Sequence, residues 1–146
     1  MKILFVCSGG GHYKELMEIK KMIPLKYNIK IATMKGKDTN KKNYELIGVN
    51  RNFINFLINL KQAFNILNEY NPDLIISNGA GTAFNMCLLG KILSKKILFI
   101  DCLTRIDDLS TCGKLIYYLN LFDIFLVHWK ELSKKYKKVS YWGNIL

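Results

Sequence analysis

The chain has 146 residues, which is the size of one domain and leaves no room for a second full domain. Half of the residues are hydrophobic and 12% are aromatic, and this composition excludes intrinsic disorder. The formal net charge is +11, from 22 Lys and Arg against 11 Asp and Glu, and its sign favours phosphates, anionic lipid surfaces or nucleic acid as partners.

Short apolar runs alternate with segments of helical spacing along the chain. The runs predict six strands, at Lys2–Cys7, Asn28–Thr33, Asp73–Ser77, Ile97–Asp101, Asp123–Val127 and Lys138–Tyr141. The segments between them predict five helices, at His12–Met22, Asn52–Tyr70, Thr82–Leu93, Gly113–Leu121 and Lys130–Tyr136. This alternation predicts an α/β fold over residues 1–146, a single Rossmann-like, doubly wound parallel sheet with helices on both faces. Ligands of such sheets bind beyond the carboxyl ends of the strands.

The first strand is followed by a turn that contains Ser8, Gly9, Gly10 and Gly11. Glycines let the backbone approach an oxyanion, and the helix start behind them offers unpaired N–H groups, so a phosphate or diphosphate fits this turn. His12 stands in the first turn of the helix, where a neutral imidazole can accept a proton from a substrate hydroxyl. The alternative is that His12 caps the helix or hydrogen-bonds a loop carbonyl.

A second turn of small and polar residues contains Asn78, Gly79, Ala80, Gly81 and Thr82, and it opens the third predicted helix. It repeats the pattern of the first turn, so we expect the two turns to bind a diphosphate together. The alternative is that the two glycines only permit tight packing, with Thr82 as the N-cap.

A third polar turn carries Arg105, one of two arginines in the chain. An arginine in such a turn can hold a phosphate through two parallel hydrogen bonds. Pairing of Arg105 with Asp101, Asp107 or Asp108 is the alternative, and it would only hold the loop in shape.

The second predicted helix carries an apolar stripe of Phe53, Phe56, Leu57, Leu60, Ala63, Phe64, Leu67 and Tyr70. Ile54 and Ile58 lie outside this stripe, near a basic segment that includes Lys41, Lys42 and Arg51. Apolar side chains beside lysines are typical of contact with a membrane surface, because the lysines meet anionic headgroups. Contact with a partner helix, or simple exposure, is the alternative.

Other classes of protein are disfavoured by composition. Twenty of the 22 basic residues are lysine, and the arginine-rich stretches of proteins that recognise nucleic acid are absent. The four cysteines form no C-x-x-C pair, so we expect no zinc site, no disulfide framework and a reducing cytoplasm. No run reaches the roughly 18 apolar residues of a membrane-spanning helix.

Five segments of the chain occur in a recognisable order, at 7–12, 72–81, 104–105, 113–117 and 123–132, and are followed by Tyr141-Trp142-Gly143. In this order they resemble the family of asparagine-linked glycosylation protein fourteen and its bacterial capsular and exopolysaccharide relatives of the CpsF and PssD type. The resemblance covers almost the whole chain. It implies the acceptor-side half of a GT-B glycosyltransferase whose nucleotide-sugar half is a separate protein, with a role in capsule, exopolysaccharide or lipid-linked oligosaccharide synthesis.

By similarity to single-chain relatives of the MurG type, the two glycine turns would hold the diphosphate of a lipid-linked sugar acceptor, and His12 would deprotonate the acceptor hydroxyl. The resemblance implies no metal and no cofactor. The cysteine usage and the edge of Ile54 and Ile58 beside the basic segment, and not the resemblance, lead us to expect a cytoplasmic protein attached peripherally to the inner face of the membrane. Relatives often carry Glu where Asp101 stands and Gln where His128 stands, so these two residues receive no role. The alternatives are a non-catalytic scaffold for the donor-binding subunit, an independent glycosyltransferase, and a soluble nucleotide-binding or nucleic-acid-binding module.

Overall fold

Seven parallel strands form one sheet in the computed structural model, which describes residues 1–34, 43–49 and 52–143. In chain order the elements are β1 (Lys2–Cys7), α1 (Gly11–Met22), β2 (Asn28–Met34), β3 (Tyr44–Leu46), α2 (Phe53–Tyr70), β4 (Leu74–Asn78), α3 (Ala80–Ile92), β5 (Lys96–Ile100), α4 (Thr111–Tyr118), β6 (Ile124–Val127), α5 (Lys130–Lys135) and β7 (Ser140–Tyr141). The strand order is β3-β2-β1-β4-β5-β6-β7. This is the doubly wound arrangement that the sequence predicts.

The apolar runs form strands because both faces of the sheet are buried. Along β1, Leu4 and Val6 face one hydrophobic cluster, and Ile3 and Phe5 face the other. Successive strands are added on one side of β1 up to β3 and on its other side from β4 onward, so the strand order reverses between β1 and β4, whose last residues Cys7 and Asn78 are register partners. Such a switch point is where open α/β sheets bind ligands.

The predicted elements all occur, with ends shifted by a few residues, and one strand was missed. The missed strand, β3, has only the three residues Tyr44–Leu46 and pairs with β2 at the edge of the sheet. A segment so short carries too few apolar positions for a strand pattern. The fourth helix ends at Tyr118, earlier than predicted, and Asn120 then adopts a left-handed φ of 53°.

The predicted core stripe of α2 was wrong in part. Phe53, Leu57 and Phe64 are exposed, whereas Asn59 and Ile66, which the stripe left out, are buried. Asn59 is buried because its side-chain nitrogen donates to the Ile47 carbonyl and its oxygen accepts from Asn85. The hydrogen bonds of Asn59 thus help to determine which face of α2 is buried, and this face differs from the most apolar side of the helix.

The two faces of the sheet are covered unequally by the described helices. Helices α2, α3, α4 and α5 contribute to one hydrophobic cluster, whereas α1 alone packs on the other face. Near α1 the strand residues Leu98 and Leu126 are only half-buried, and Ile124 is 50% exposed. An apolar cavity of about 250 Å³ lies here, with Trp142 in its lining.

Candidate functional site

The two glycine turns lie side by side at the switch point of the sheet. Strand β1 ends at Cys7 and β4 ends at Asn78, and these two residues are register partners. Helix α1 starts at Gly11 and α3 starts at Ala80, so both helices begin at this edge. The structure therefore brings together the first and second turns that the sequence singled out.

Both helices begin with free backbone N–H groups. The N-cap residues are Gly10 in α1 and Gly79 in α3, and neither helix start donates a hydrogen bond to a capping side chain among the described residues. Unpaired N–H groups and the positive end of the helix dipole attract anions. The alternative that Thr82 is the N-cap of α3 was wrong, because Thr82 is the third residue of that helix.

Open space lies over the first turn. A Cβ atom added at Gly9, Gly10 or Gly11 would meet no atom of residues 1–34, 43–49 or 52–143 within 4 Å. Gly10 also needs to be glycine because its φ is 71°. Ser8, at the start of the turn, is buried. The backbone of Gly9–Gly11 is thus accessible to a bound group at close range.

His12 fills the corresponding space over the second turn. A Cβ added at Gly79 would lie 2.3 Å from His12 Cε1, and the φ of Gly79 is 63°. Only glycine therefore fits at position 79 beneath the imidazole ring. His12 neither caps α1 nor hydrogen-bonds a loop carbonyl, the alternative that the sequence left open, because Nδ1 lies 2.5 Å from Asn78 Oδ1.

A chain of polar side chains runs from His12 into the interior. Asn78 Nδ2 donates to Glu15 Oε2 at 2.6 Å, and Glu15 Oε1 lies 2.5 Å from His128 Nε2. This last contact is an ion pair when His128 is protonated, and neither atom has a hydrogen-bond partner among the described residues. His128 Nδ1 lies 2.9 Å from the Gly143 carbonyl oxygen. Asn78, Glu15 and His128 are each less than 5% exposed.

The surroundings of His128 favour its charged form. Burial disfavours the imidazolium, but the Glu15 carboxylate and the Gly143 carbonyl outweigh burial and raise the pKa of His128 above its usual value. A positive charge on His128 balances the carboxylate of Glu15, which would otherwise be a lone charge in the interior.

Two further residues of the second turn contribute to packing. A Cβ added at Gly81 would lie 3.0 Å from Val49, so this glycine permits close approach of the chain segment before α2. Ala80 has a left-handed φ of 56°, and its carbonyl accepts a hydrogen bond from Cys112 Sγ at 3.0 Å. The Thr82 hydroxyl is buried, and it has no hydrogen-bond partner among the described residues. Anion binding by Ala80, Gly81 and Thr82 stays a prediction.

Arg105 is exposed in the turn after β5. Within residues 1–34, 43–49 and 52–143, its side chain makes no hydrogen bond or ion pair, so the pairing with Asp101, Asp107 or Asp108 is absent there. Asp101 accepts hydrogen bonds from Ser110 instead, and Asp108 pairs with Lys114 and Lys135. Phosphate binding by Arg105 stays a prediction.

The predicted membrane-contact residues fall into two groups. Lys41, Lys42 and Arg51 lie outside the described residues. Ile54 and Ile58 are 66% and 42% exposed. Exposed Phe53 and Leu57 stand beside them at the start of α2, so the apolar patch is larger than predicted. No described helix is both long and apolar enough to span a membrane.

Cysteines and carboxylates form no metal site in the described chain, where no group of three or more His, Cys, Asp or Glu could hold an ion. All four cysteines are free. Burial raises the pKa of the Cys7 thiol to about 11 and that of the Cys112 thiol to about 12. These two thiols are therefore protonated at neutral pH.

Sequence reasoning missed the inner members of the polar chain. Glu15 follows His12 by three residues, which places both on one side of α1. His128 comes directly after the buried Val127 at the end of β6, the edge at which the turns lie. Only the positions of Glu15 and His128 indicate that they belong to the site. Their residue types alone did not distinguish them from ordinary polar residues at the surface.

Similar folds occur in solved structures. The UDP-GlcNAc 2-epimerase from Methanocaldococcus jannaschii matches 99% of this chain with a TM-score of 0.77 and 15% identity, over 46% of the epimerase chain. MurG from Acinetobacter baumannii matches 86% of this chain with a TM-score of 0.65 and 15% identity, over 40% of the MurG chain. At such identities the likeness shows the α/β fold alone.

Sequence relatives identify the family. The human protein named UDP-N-acetylglucosamine transferase subunit ALG14 is 34% identical over 90 residues, covering 58% of this chain and 41% of its own length. The protein of the same name from Schizosaccharomyces pombe is 42% identical over 79 residues, covering 51% of this chain and 37% of its own. The alignments thus span about two fifths of these relatives. The family model described as oligosaccharide biosynthesis protein Alg14 like matches residues 48–145, and the chain therefore belongs to the Alg14-like family.

Proposed function

We propose that this chain is the acceptor-binding subunit of a two-protein glycosyltransferase that moves a sugar from a UDP-sugar to a lipid-diphosphate-linked sugar. The observation that carries the proposal is the position of His12, whose ring lies on Gly79 between two helix starts that have no side-chain cap. The names of the relatives, which are UDP-N-acetylglucosamine transferase subunits, support the reaction class.

The two helix starts would bind the diphosphate of the acceptor. Backbone N–H groups at Gly9–Gly11 are accessible, and those at the start of α3 are next to them across the β1–β4 register. Charge-assisted hydrogen bonds to such groups are stronger than neutral ones, and no metal is needed for them. Arg105 would add a positive side chain from the turn after β5.

His12 would act as the general base. It takes the proton from the acceptor hydroxyl as that oxygen forms a bond to the anomeric carbon of the donor sugar. The bond between the anomeric carbon and the UDP oxygen breaks, and UDP leaves with the electron pair. A positioned base of this kind contributes about 10²–10⁴-fold to the rate.

The lipid portion of the acceptor would follow the apolar surface beside the second turn. An apolar cavity of about 350 Å³ is lined there by Ala80, Gly81, Phe84 and Leu115, among others. Phe56, also in its lining, stacks at 6.5 Å on the exposed Phe53 of the α2 patch. This continuous apolar path supports peripheral attachment to a membrane at the start of α2.

The donor nucleotide would be bound by a second protein. The described residues form one sheet and its helices, and the α1 side of the sheet is left open at Leu98, Ile124 and Leu126. Apolar strand residues that remain exposed support contact with another chain. The word subunit in the names of the relatives supports the same arrangement.

Sugar transfer by the complex tests the proposal. UDP-GlcNAc, UDP-Glc and UDP-Gal are supplied to a lipid-diphosphate-sugar acceptor, with this chain alone and with its donor-binding partner. We expect transfer only with both proteins, and a loss of about 10²–10⁴-fold in His12→Ala with the complex still assembled. Lys14→Ala, an exposed change on the same helix, is the matched control. Full activity of His12→Ala would instead show a scaffold, and transfer by this chain alone would refute the two-protein arrangement.

A further inference from the structure

Two buried ionisable residues beside the site have no part in the mechanism above. Glu15 lies in α1 and His128 follows β6, and they are 4% and 3% exposed. Burial of a charged pair gives little net stability compared with apolar packing, so such a pair at a site indicates a role in specificity or positioning. Both residues connect to His12 only through the side chain of Asn78.

The contact with Glu15 decides which way the Asn78 amide faces. A carboxylate accepts hydrogen bonds and cannot donate them, so the group 2.6 Å from Glu15 Oε2 must be the NH₂ of Asn78. The reversed amide would place two oxygens against each other at that distance. Asn78 Oδ1 is therefore the atom that faces His12 Nδ1 at 2.5 Å.

The orientation of the amide decides in turn where neutral His12 carries its proton. An amide oxygen only accepts, so a hydrogen bond at Nδ1 requires the proton on Nδ1. Nε2 then keeps its lone pair, and the ring plane is fixed because Gly79 lies directly beneath the imidazole. The base of the reaction would be Nε2.

His128 holds the second oxygen of Glu15. The ring of His128 lies between the carboxylate of Glu15, 2.5 Å from Nε2, and the carbonyl of Gly143, 2.9 Å from Nδ1. These two groups favour the charged form of His128, whose positive charge attracts Glu15 Oε1 and leaves Oε2 to accept from the Asn78 amide.

We propose that Glu15 and His128 are positioning residues that fix the Asn78 amide, so that His12 holds its proton on Nδ1 and presents Nε2 to the acceptor hydroxyl. The proposal rests on the proposed function for the identity of the reaction, whereas the protonated nitrogen of His12 can be observed without any reaction.

Nitrogen NMR of the chain labelled with ¹⁵N-histidine tests the proposal directly. The chain contains only two histidines, so the His128→Gln variant leaves His12 as the single signal and assigns the spectrum. On titration to alkaline pH we expect neutral His12 to show a protonated Nδ1 and an unprotonated Nε2. A protonated Nε2 in the unmodified chain overturns the proposal, whatever the activity of His12→Ala.

Two variants separate positioning from a general effect on folding. The side-chain NH₂ of Gln at position 128 can donate to Glu15 Oε1 and hold this oxygen in place of the imidazole ring, so the conservative variant His128→Gln should keep the Nδ1 proton of His12 and most of the activity. Glu15→Leu removes the acceptor for the Asn78 amide, and neutral His12 should become a mixture of the two tautomers. The kcat of the complex should fall about tenfold to 100-fold, within the range of a positioned base, while the KM for the acceptor stays unchanged.

The outcomes distinguish this proposal from the proposed function. Loss of the Nδ1 proton in Glu15→Leu together with a lower kcat supports both. An unchanged His12 spectrum in a folded Glu15→Leu chain refutes the positioning role. If His12→Ala is fully active while the NMR pattern is as expected, the arrangement stands and the assignment of His12 as the base fails.

Discussion

The four longer helices begin in two different ways. In α2 the Asn52 side chain accepts hydrogen bonds from the N–H groups of Ile54 and Asn55, and in α4 the Ser110 hydroxyl accepts from Gly113. In α1 and α3 the N-caps are Gly10 and Gly79, and no side chain caps the helix. A side-chain cap stabilises a helix by about 1 kcal/mol relative to Ala but by only about a few tenths of a kcal/mol relative to Gly, so the glycine N-caps of α1 and α3 leave the helix starts open at little cost in stability. The difference separates helix starts that serve stability from those available to a ligand.

The largest effect is expected from Gly79→Ala. The new methyl group would overlap the His12 ring, and the alanine would also have to adopt the left-handed φ of 63°. Displacement of a catalytic group by about 1 Å costs about 100-fold in rate, and we expect a loss of at least this size. Sugar transfer by the complex measures it.

The control for this change is Gly90→Ala, in the same helix. A Cβ there would lie 2.6 Å from the end of the Ile75 side chain in the core, and Gly90 lies near the end of α3 opposite to Gly79. It should lower the free energy of unfolding by about 1–3 kcal/mol and leave transfer unchanged. Equal losses of transfer in both variants would contradict a specific role for position 79.

A smaller and purely functional effect is expected from Gly9→Ala. Its Cβ meets no atom within 4 Å in the part of the chain that the structure describes, so the free energy of unfolding should not change. The methyl group would occupy space over the first turn and weaken a charge-assisted hydrogen bond, which is worth about 1.5–3 kcal/mol. The KM for the acceptor should rise about tenfold or more. An unchanged KM would show that the acceptor does not approach this turn.

The opposite result is expected at a capped helix. Ser110→Ala removes the cap of α4 and the hydroxyl that donates to Asp101 at 2.5 Å. The free energy of unfolding, measured with urea, should fall by about 1 kcal/mol from the lost cap and by about 1.5–3 kcal/mol from the lost hydrogen bond to the Asp101 carboxylate. Sugar transfer at a temperature where the protein stays folded should not change, and a specific loss of kcat would break the distinction between the two kinds of helix start.

The smallest effect concerns pH. The pKa of His128 is raised in the folded protein, so its pairing with Glu15 contributes stability that is complete below the usual histidine pKa of 6.5. That contribution is lost as pH rises through the folded pKa. The free energy of unfolding should therefore decline above about pH 6.5 in the unmodified chain, and His128→Gln should flatten the decline. If the free energy of unfolding declines equally with pH in the two proteins, this would contradict a charged His128 in the folded chain.

The fold could be predicted because burial leaves a local pattern. Strands such as β1, which is buried on both faces, appear as continuous apolar runs, and glycines appear where turns must bend. The buried face of α2 could not be predicted from the same pattern. Asn59 is inside because Ile47 and Asn85 offer hydrogen bonds, and these partners are distant in the sequence.

The candidate site also has one part that local sequence patterns predict and one part that they do not. Both glycine turns and His12 could be found from local residue types at strand ends. The contact of His12 with Asn78, and the placement of Glu15 and His128 behind it, depend on strands β1, β4 and β6, whose order in the sheet no local pattern gives. Arg105 is the opposite case. Its residue type and its turn indicated a phosphate site from the sequence, but its side chain makes no contact among the described residues that assigns it a role.

The pairing of β1 with β4 also has a consequence for folding. His12 and Asn78 are 66 residues apart, and the register partners Cys7 and Asn78 bring their turns together only when a long loop has closed. Contacts between residues so far apart in sequence form slowly, because closing the loop costs conformational entropy before the contacts can stabilise the chain. A nascent or partly refolded chain can therefore contain its helices and still lack the site.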